Sequence, residues 1–260
     1  MFIFLGDSQP LGYEIGEEIN QYSDHIPQHL REKVYHPWAI NHECRPDHAY
    51  PHILSESLSH DYVNLAIGGT SHLRHLYLFQ SYLKTNHVPK GSTVFLNSNN
   101  KFRGFFVDNF TCETMDFMDL IFWKSGSPMP RTQSTWKTFL QDPSNSNIAD
   151  AITRMFPYYN YQSVNHIGLL CESLGLNFLY FPIAPDTLDD PEETYEYLNL
   201  KPNQIIESFP QELRTRVYGD VSNALGYPNW LKFHPSRAGH KIIADHIRKV
   251  YLERNLDKNI

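Results

Sequence analysis

Phe2-Ile3-Phe4-Leu5-Gly6-Asp7-Ser8 is the stretch from which the fold is read. A four-residue apolar run that stops at glycine suits a strand covered on both faces, because strands of a buried parallel sheet read as continuous hydrophobic runs. Asp7 and Ser8 then stand where the strand gives way to a loop. Further along, Val63-Asn64-Leu65-Ala66-Ile67 runs into Gly68-Gly69, and Thr93-Val94-Phe95-Leu96 runs into Asn97-Ser98-Asn99-Asn100. Asn177-Phe178-Leu179-Tyr180-Phe181 ends at Pro182 in the same manner.

Helical spacing separates these runs. Val164, Ile167, Leu170, Cys171 and Leu174 recur on one face of a helix over 163–174, with Gly175 placed as its C-terminal cap. Ile242, Ile243, Ile247, Val250 and Tyr251 do the same over 236–252, with Ser236 placed to cap the start. Strands alternating with helices imply an α/β fold with a mainly parallel sheet and right-handed crossovers. Ligands bind outside the carboxyl ends of such strands. Ser8, Gly69 and Asn99 each follow a predicted strand, so the topology alone brings them to one rim.

Two long segments fall outside this plan: 13–48, rich in His and Pro, and 101–161, rich in aromatics, Ser and Pro. Both are read as insertions in a single domain spanning 1–260, since loops of that length carry local structure or function. With 41% hydrophobic and 20% charged residues, the 260-residue chain has the material for a full core. A net charge of −7 without a cluster of Lys and Arg excludes a broad phosphate-binding surface, so no nucleic-acid partner is expected. The apolar runs fall well short of the roughly 20 residues of a transmembrane helix. Met1 to Leu5 has no basic leader, and the three cysteines, Cys44, Cys112 and Cys171, show no metal-like spacing. Reduced thiols and a cytoplasmic location are therefore expected.

The rim residues are those that acyl transfer requires. A serine hydroxyl is a weak nucleophile at neutral pH and needs a base beside it and donors aimed at the developing oxyanion. Ser8 is the candidate nucleophile, and His234, in His234-Pro235-Ser236, the candidate base. Gly69 and Asn99 are the candidate donors. Glycine at 69 leaves the backbone open to substrate, and the Asn99 amide donates without carrying charge.

In order and spacing, these blocks resemble those of the SGNH or GDSL-type hydrolases, a family of esterases, lipases, thioesterases and carbohydrate acetyl-esterases. Gly6-Asp7-Ser8 with Gly12 is similar to the family's first block, and Asn64 to Gly69 to its second. Asn97-Ser98-Asn99-Asn100 resembles the third, usually Gly-x-Asn-Asp. His234 to His240 resembles the last, which places the base at its first histidine. Tyr50-Pro51 with Leu54 and Leu58 fits the helix that precedes the second block. The resemblance implies a flavodoxin-like three-layer α/β/α sandwich, Ser8 as nucleophile and His234 as base. It also implies an oxyanion hole from the Ser8 and Gly69 backbone N–H groups and the Asn99 amide. The implied reaction is hydrolysis of a carboxylic ester, an O-acetyl or other short O-acyl group on a small molecule or carbohydrate, without cofactor.

One position departs from that pattern. The family carries an aspartate three residues before the histidine, and here that residue is Leu231, which accepts no hydrogen bond. Three outcomes stay open: a Ser-His dyad oriented by a backbone carbonyl, a relocated acceptor such as Asn229, Asp220 or Asp186, or a decayed enzyme that binds a ligand or carbohydrate in the old cleft.

Other residues have plainer readings. Asp7 is expected to bond backbone N–H groups of the nucleophile loop. His42, Cys44, His48 and His52 share a short window, but their spacing matches no closed zinc site, so no metal is assigned. Phe102, Phe105, Phe106, Phe110, Trp123, Trp136, Tyr158, Tyr159 and Tyr161 serve equally as an acyl or sugar pocket or as packing for the insertion. Asp189, Asp190, Glu192, Glu193 and Glu196 read as a solvated helix start.

Overall fold

The computed structural model describes residues 1–36, 40–68, 70–98, 104–107, 114–117, 144, 146–181, 198–206 and 234–256. Four parallel strands form the central sheet: β1 (Phe2–Leu5), β2 (Tyr62–Asn64), β3 (Thr93–Asn97) and β6 (Asn177–Phe181), in the order β2-β1-β3-β6. Phe2 aligns with Tyr62 on one side and Thr93 on the other, and Thr93 aligns with Asn177. This order, with the first strand inside and the second at the edge, is the flavodoxin-like one. A separate antiparallel pair, β4 (Gly104–Val107) and β5 (Thr114–Phe117), lies within the second insertion.

Alternation along the strands builds a layer on each face. Phe2, Phe4, Phe95, Leu179 and Phe181 point to the side covered by α3 (Tyr50–Leu58) and α6 (Arg237–Glu253), where they pack on Tyr50, Leu54, Ile243, Ile247 and Tyr251. Ile3, Leu5, Val94, Leu96 and Phe178 point the other way, against Phe79 and Tyr82 of α4 (His72–Thr85) and Val164, Ile167 and Cys171 of α5 (Ser146–Leu174). The molecule is a three-layer α/β/α sandwich. β1 is completely buried along its length, as the unbroken apolar run of a strand covered on both faces requires.

Local chemistry sets the boundaries. At the end of α5, Leu176 N–H donates to Cys171 O and Gly175 N–H to Glu172 O, with Gly175 at φ +69°, a glycine-capped Schellman ending. α5 starts at Ser146, so the last part of the 101–161 segment is helical. Ser236 caps α6 by accepting from Gly239 N–H at 3.2 Å. The predicted second strand, 63–67, is shorter in the ladder than its apolar run. Beyond Asn64 the chain runs on beside β1 toward the Ser8 loop, with Leu65 N–H donating to Phe4 O and Ile67 N–H to Gly6 O.

The first insertion carries two short helices, α1 (Ile15–Ile19) and α2 (Gln28–Arg31). Backbone bonds stitch it to the loop after β1 and to the end of β2, where Arg45 N–H donates to Gly12 O, Tyr35 N–H to Asn64 O and Asn64 N–H to Lys33 O; within the insertion, Gly16 N–H donates to Glu43 O. Arg45, itself buried, holds Asp47 through two hydrogen bonds of 2.9 and 2.6 Å. That bidentate contact keeps the Asp47 carboxyl below the usual carboxylate range despite burial.

Candidate active site

The tip of β1 cannot carry a side chain at position 6. A Cβ on Gly6 would lie 1.6 Å from Asn97 Oδ1 and 2.7 Å from Pro10 Cγ, so only glycine lets the first and third strand tips come this close. Asp7 follows and accepts from Gln9 N–H at 3.1 Å, as expected of it. Ser8 begins a 3₁₀ turn over Gln9–Leu11, and its carbonyl accepts from Leu11 and Tyr13 N–H. Asn64 locks that turn to the second strand tip: its amide donates to Pro10 O at 2.8 Å and its Oδ1 accepts from Ala66 N–H.

Ser8 and His234, 226 residues apart, meet at this rim: Ser8 Oγ and His234 Nε2 are 2.6 Å apart. Gly68 lies against the same serine, where a Cβ built on it would sit 3.6 Å from Ser8 Cβ. The second block thus reaches the Ser8 loop, while Asn97 brings the start of the third to Gly6. Gly69 and Asn99, each one residue beyond a described neighbour, lie outside the described residues. So do Leu231 and the alternative acceptors Asn229, Asp220 and Asp186, and the acidic run from Asp189 to Glu196.

The other ring nitrogen of His234 faces a residue of the first insertion. Glu14 Oε1 lies 3.4 Å from His234 Nδ1, with side-chain exposures of 9% and 15%. The separation falls within ion-pair range but is not aligned as a hydrogen bond. Glu14 stands just before α1 with φ +69° and ψ −11°, a left-handed conformation uncommon for a residue with a long side chain. Sequence reasoning missed it. The available signal was a glutamate six residues beyond Ser8, close behind a glycine, in a segment that had no place in the strand and helix plan.

Tyr13 and His240 complete the surroundings. The Tyr13 ring lies 4.9 Å from the His234 ring, and burial raises the Tyr13 phenol above its ordinary value. His240 is fully buried one turn inside α6 and accepts Tyr50 N–H at Nδ1, 3.2 Å away, which satisfies a donor at the start of α3. Burial, reinforced by the neighbouring His234 and His48, pushes His240 down to about 3, so it is a neutral acceptor at physiological pH.

The His42–His52 window disperses. His42 stacks on Tyr22, His48 lies 3.9 Å from Asp47, and His52 packs against Tyr62. Among the aromatics of the second insertion, Tyr161 is buried in the core beneath the sheet, and Tyr158 and Tyr159 are exposed on α5. The side chains of Phe102, Phe105, Phe106, Phe110, Trp123 and Trp136 lie outside the described residues.

No protein-family model matches the chain. No curated protein matches it. Similar solved structures include a carbohydrate esterase whose active site has divergent catalytic and non-catalytic binding functions, at 12% identity and a TM-score of 0.47, covering 97% of this chain and 64% of that one. A member of the lipolytic G-D-S-L family from Veillonella parvula is similar at 13% identity and a TM-score of 0.44, over 96% and 97% of the two chains. An acetyl xylan esterase from the rumen bacterium Butyrivibrio proteoclasticus is similar at 12% identity and a TM-score of 0.46, over 98% and 63%. This chain therefore spans just under two thirds of the length of the first and third of these proteins.

Proposed function

We propose that this protein is a serine ester hydrolase of the SGNH/GDSL type, with Ser8 as nucleophile and His234 as general base and then general acid. The 2.6 Å contact between Ser8 Oγ and His234 Nε2 carries this reading. It has the length of a nucleophile and its base, and it joins residues from opposite ends of the chain at the rim where an open parallel sheet binds ligands.

The reaction follows from that contact. His234 Nε2 takes the Ser8 hydroxyl proton as Oγ attacks the ester carbonyl carbon. The tetrahedral oxyanion collapses, the bond to the leaving oxygen breaks, and His234 returns the proton to the departing alcohol. A water molecule, deprotonated by the same Nε2, then attacks the acyl-enzyme, releasing the carboxylic acid and restoring Ser8. Gly69 N–H, Ser8 N–H and the Asn99 amide are proposed to hold the oxyanion in both halves. The substrate is proposed to be a short O-acyl ester on a small molecule or carbohydrate, and the enzyme to act in the cytoplasm without a cofactor.

Hydrolysis of p-nitrophenyl acetate by purified wild type, Ser8→Ala and His234→Ala tests the reading. Each variant is expected to lose roughly 10³-fold or more in kcat/KM, the cost of removing a member of a unit that acts together. Ser8→Ala hydrolysing the ester as fast as wild type would overturn the reading. A folded wild type without measurable turnover would point instead to a protein that only holds a ligand in this cleft.

A further inference from the structure

We infer that Glu14 is the carboxylate that orients His234, so the third member of the site comes from the first insertion and not from the segment preceding the histidine. The inference rests on the hydrolase reading above. A serine hydrolase needs its histidine held in the tautomer that leaves Nε2 free to accept the serine proton, which requires an acceptor at Nδ1. Leu231, at the position where an aspartate is usual in the family this chain resembles, offers none. Glu14 Oε1 stands 3.4 Å from Nδ1, on the far side of the ring from Ser8.

Three further observations fit that role. The Glu14 side chain is buried beside an imidazole that becomes imidazolium during the reaction, and in such surroundings an opposite charge is screened far less than in water. Its backbone holds the left-handed φ of +69°, and strain of this kind persists where the surrounding structure enforces it, commonly at functional sites. The enforcement is visible on both sides. Arg45 N–H binds Gly12 O ahead of Glu14, and Gly16 N–H binds Glu43 O behind it.

The third observation is a second contact by the same segment of the first insertion. Glu18, four residues on from Glu14, accepts Arg237 N–H through Oε2 at 2.9 Å. Glu14, just before α1, and Glu18, within it, thus hold the segment bearing the base at two points: Glu14 at the His234 ring and Glu18 at the first N–H of α6. The second contact also places a carboxylate at the positive end of that helix. The segment that presents His234 is therefore fixed by the insertion, and Glu14 acts as a positioning residue through the histidine.

Steady-state kinetics of Glu14→Gln and Glu14→Ala on p-nitrophenyl acetate, with circular dichroism fixing the folded fraction of each, test this. Both variants are expected to lose about 10²-fold or more in kcat, toward the loss of about 10⁴ that follows removal of the orienting carboxylate of a serine triad. KM should stay within about threefold of wild type, because the lost interaction acts in the transition state. Added formate, a small carboxylate able to occupy the space left by the alanine, is expected to restore Glu14→Ala at least about tenfold and to leave Glu14→Gln unchanged; a purely structural glutamate would not respond in this way. A kcat for folded Glu14→Gln within about tenfold of wild type would overturn the inference, as would a loss in Glu14→Ala that formate leaves untouched. Ser8→Ala, run in parallel, separates the two levels. An inactive Ser8→Ala beside an unimpaired Glu14→Gln removes only the role of Glu14, whereas a fully active Ser8→Ala removes the hydrolase reading itself.

Discussion

Gly6 and Gly12 are the backbone positions on which the Ser8 loop depends. At Gly6 the constraint is approach: the Asn97 side chain occupies the space of a Cβ. At Gly12 it is both conformation and approach, with φ at +64° and a built Cβ only 2.4 Å from the Arg45 carbonyl oxygen. Alanine at either position is expected to destabilise the fold by about 1–3 kcal/mol, the cost of overpacking or of a strained backbone. Urea unfolding measures it, and a midpoint equal to wild type would refute the contact. Gly6→Ala should also lower kcat/KM more than its folded fraction accounts for, because Ser8 is two residues away. Ser8 and His234 could be found in the sequence because each sits in a short contiguous block whose neighbours report the turn around it. Glu14 could not, because its partner is 220 residues away and its placement depends on how α1 docks against the start of α6. Leu231 also directed attention to acceptors ahead of His234, such as Asn229, Asp220 or Asp186, while a carboxylate facing its ring lies near Ser8.

The elements themselves were mostly legible. Unbroken apolar runs gave the four parallel strands, and Gly175 and Ser236 marked two helix boundaries through capping chemistry that is local by nature. The second strand was read as too long: the strand proper ends at Asn64, although Leu65 and Ile67 still donate to Phe4 O and Gly6 O alongside β1. The antiparallel pair β4–β5 and the start of α5 at Ser146 lay inside a segment with no clear period. Between α3 and α6, His240 links the helices as a buried neutral acceptor and makes the sandwich acid-sensitive. Its folded value of about 3 lies below the ordinary 6.5. The unfolded chain therefore binds a proton that the folded chain refuses, and this stability, complete above pH 6.5, is lost as pH falls toward 3 at up to about 1.4 kcal/mol per unit. Partly buried His36, His48 and His52 shift the same way and add to the slope. His240→Asn keeps an acceptor for Tyr50 N–H and removes the titration, so the drop in unfolding free energy between pH 7 and pH 5 should be smaller than in wild type. An unchanged drop would assign the acid sensitivity to the other histidines.

For the whole molecule, the sheet order and the two core layers bring the carboxyl ends of β1, β2 and β3 to one rim, and the closing helix returns the far end of the chain there. The first insertion, although outside the minimal plan, supplies the wall of that rim and is tied to it through backbone bonds at Gly12 and Asn64. What such an assembly is proposed to do is raise one hydroxyl among the many serines of the chain to a nucleophile. The most direct test is to treat the native protein with a fluorophosphonate, digest it and locate the adduct by mass spectrometry. A single phosphonate on Ser8, absent from Ser8→Ala and slowed in His234→Ala, is the predicted outcome; an unlabelled native protein, or an adduct on another residue that persists in Ser8→Ala, would show that Ser8 is not the activated nucleophile.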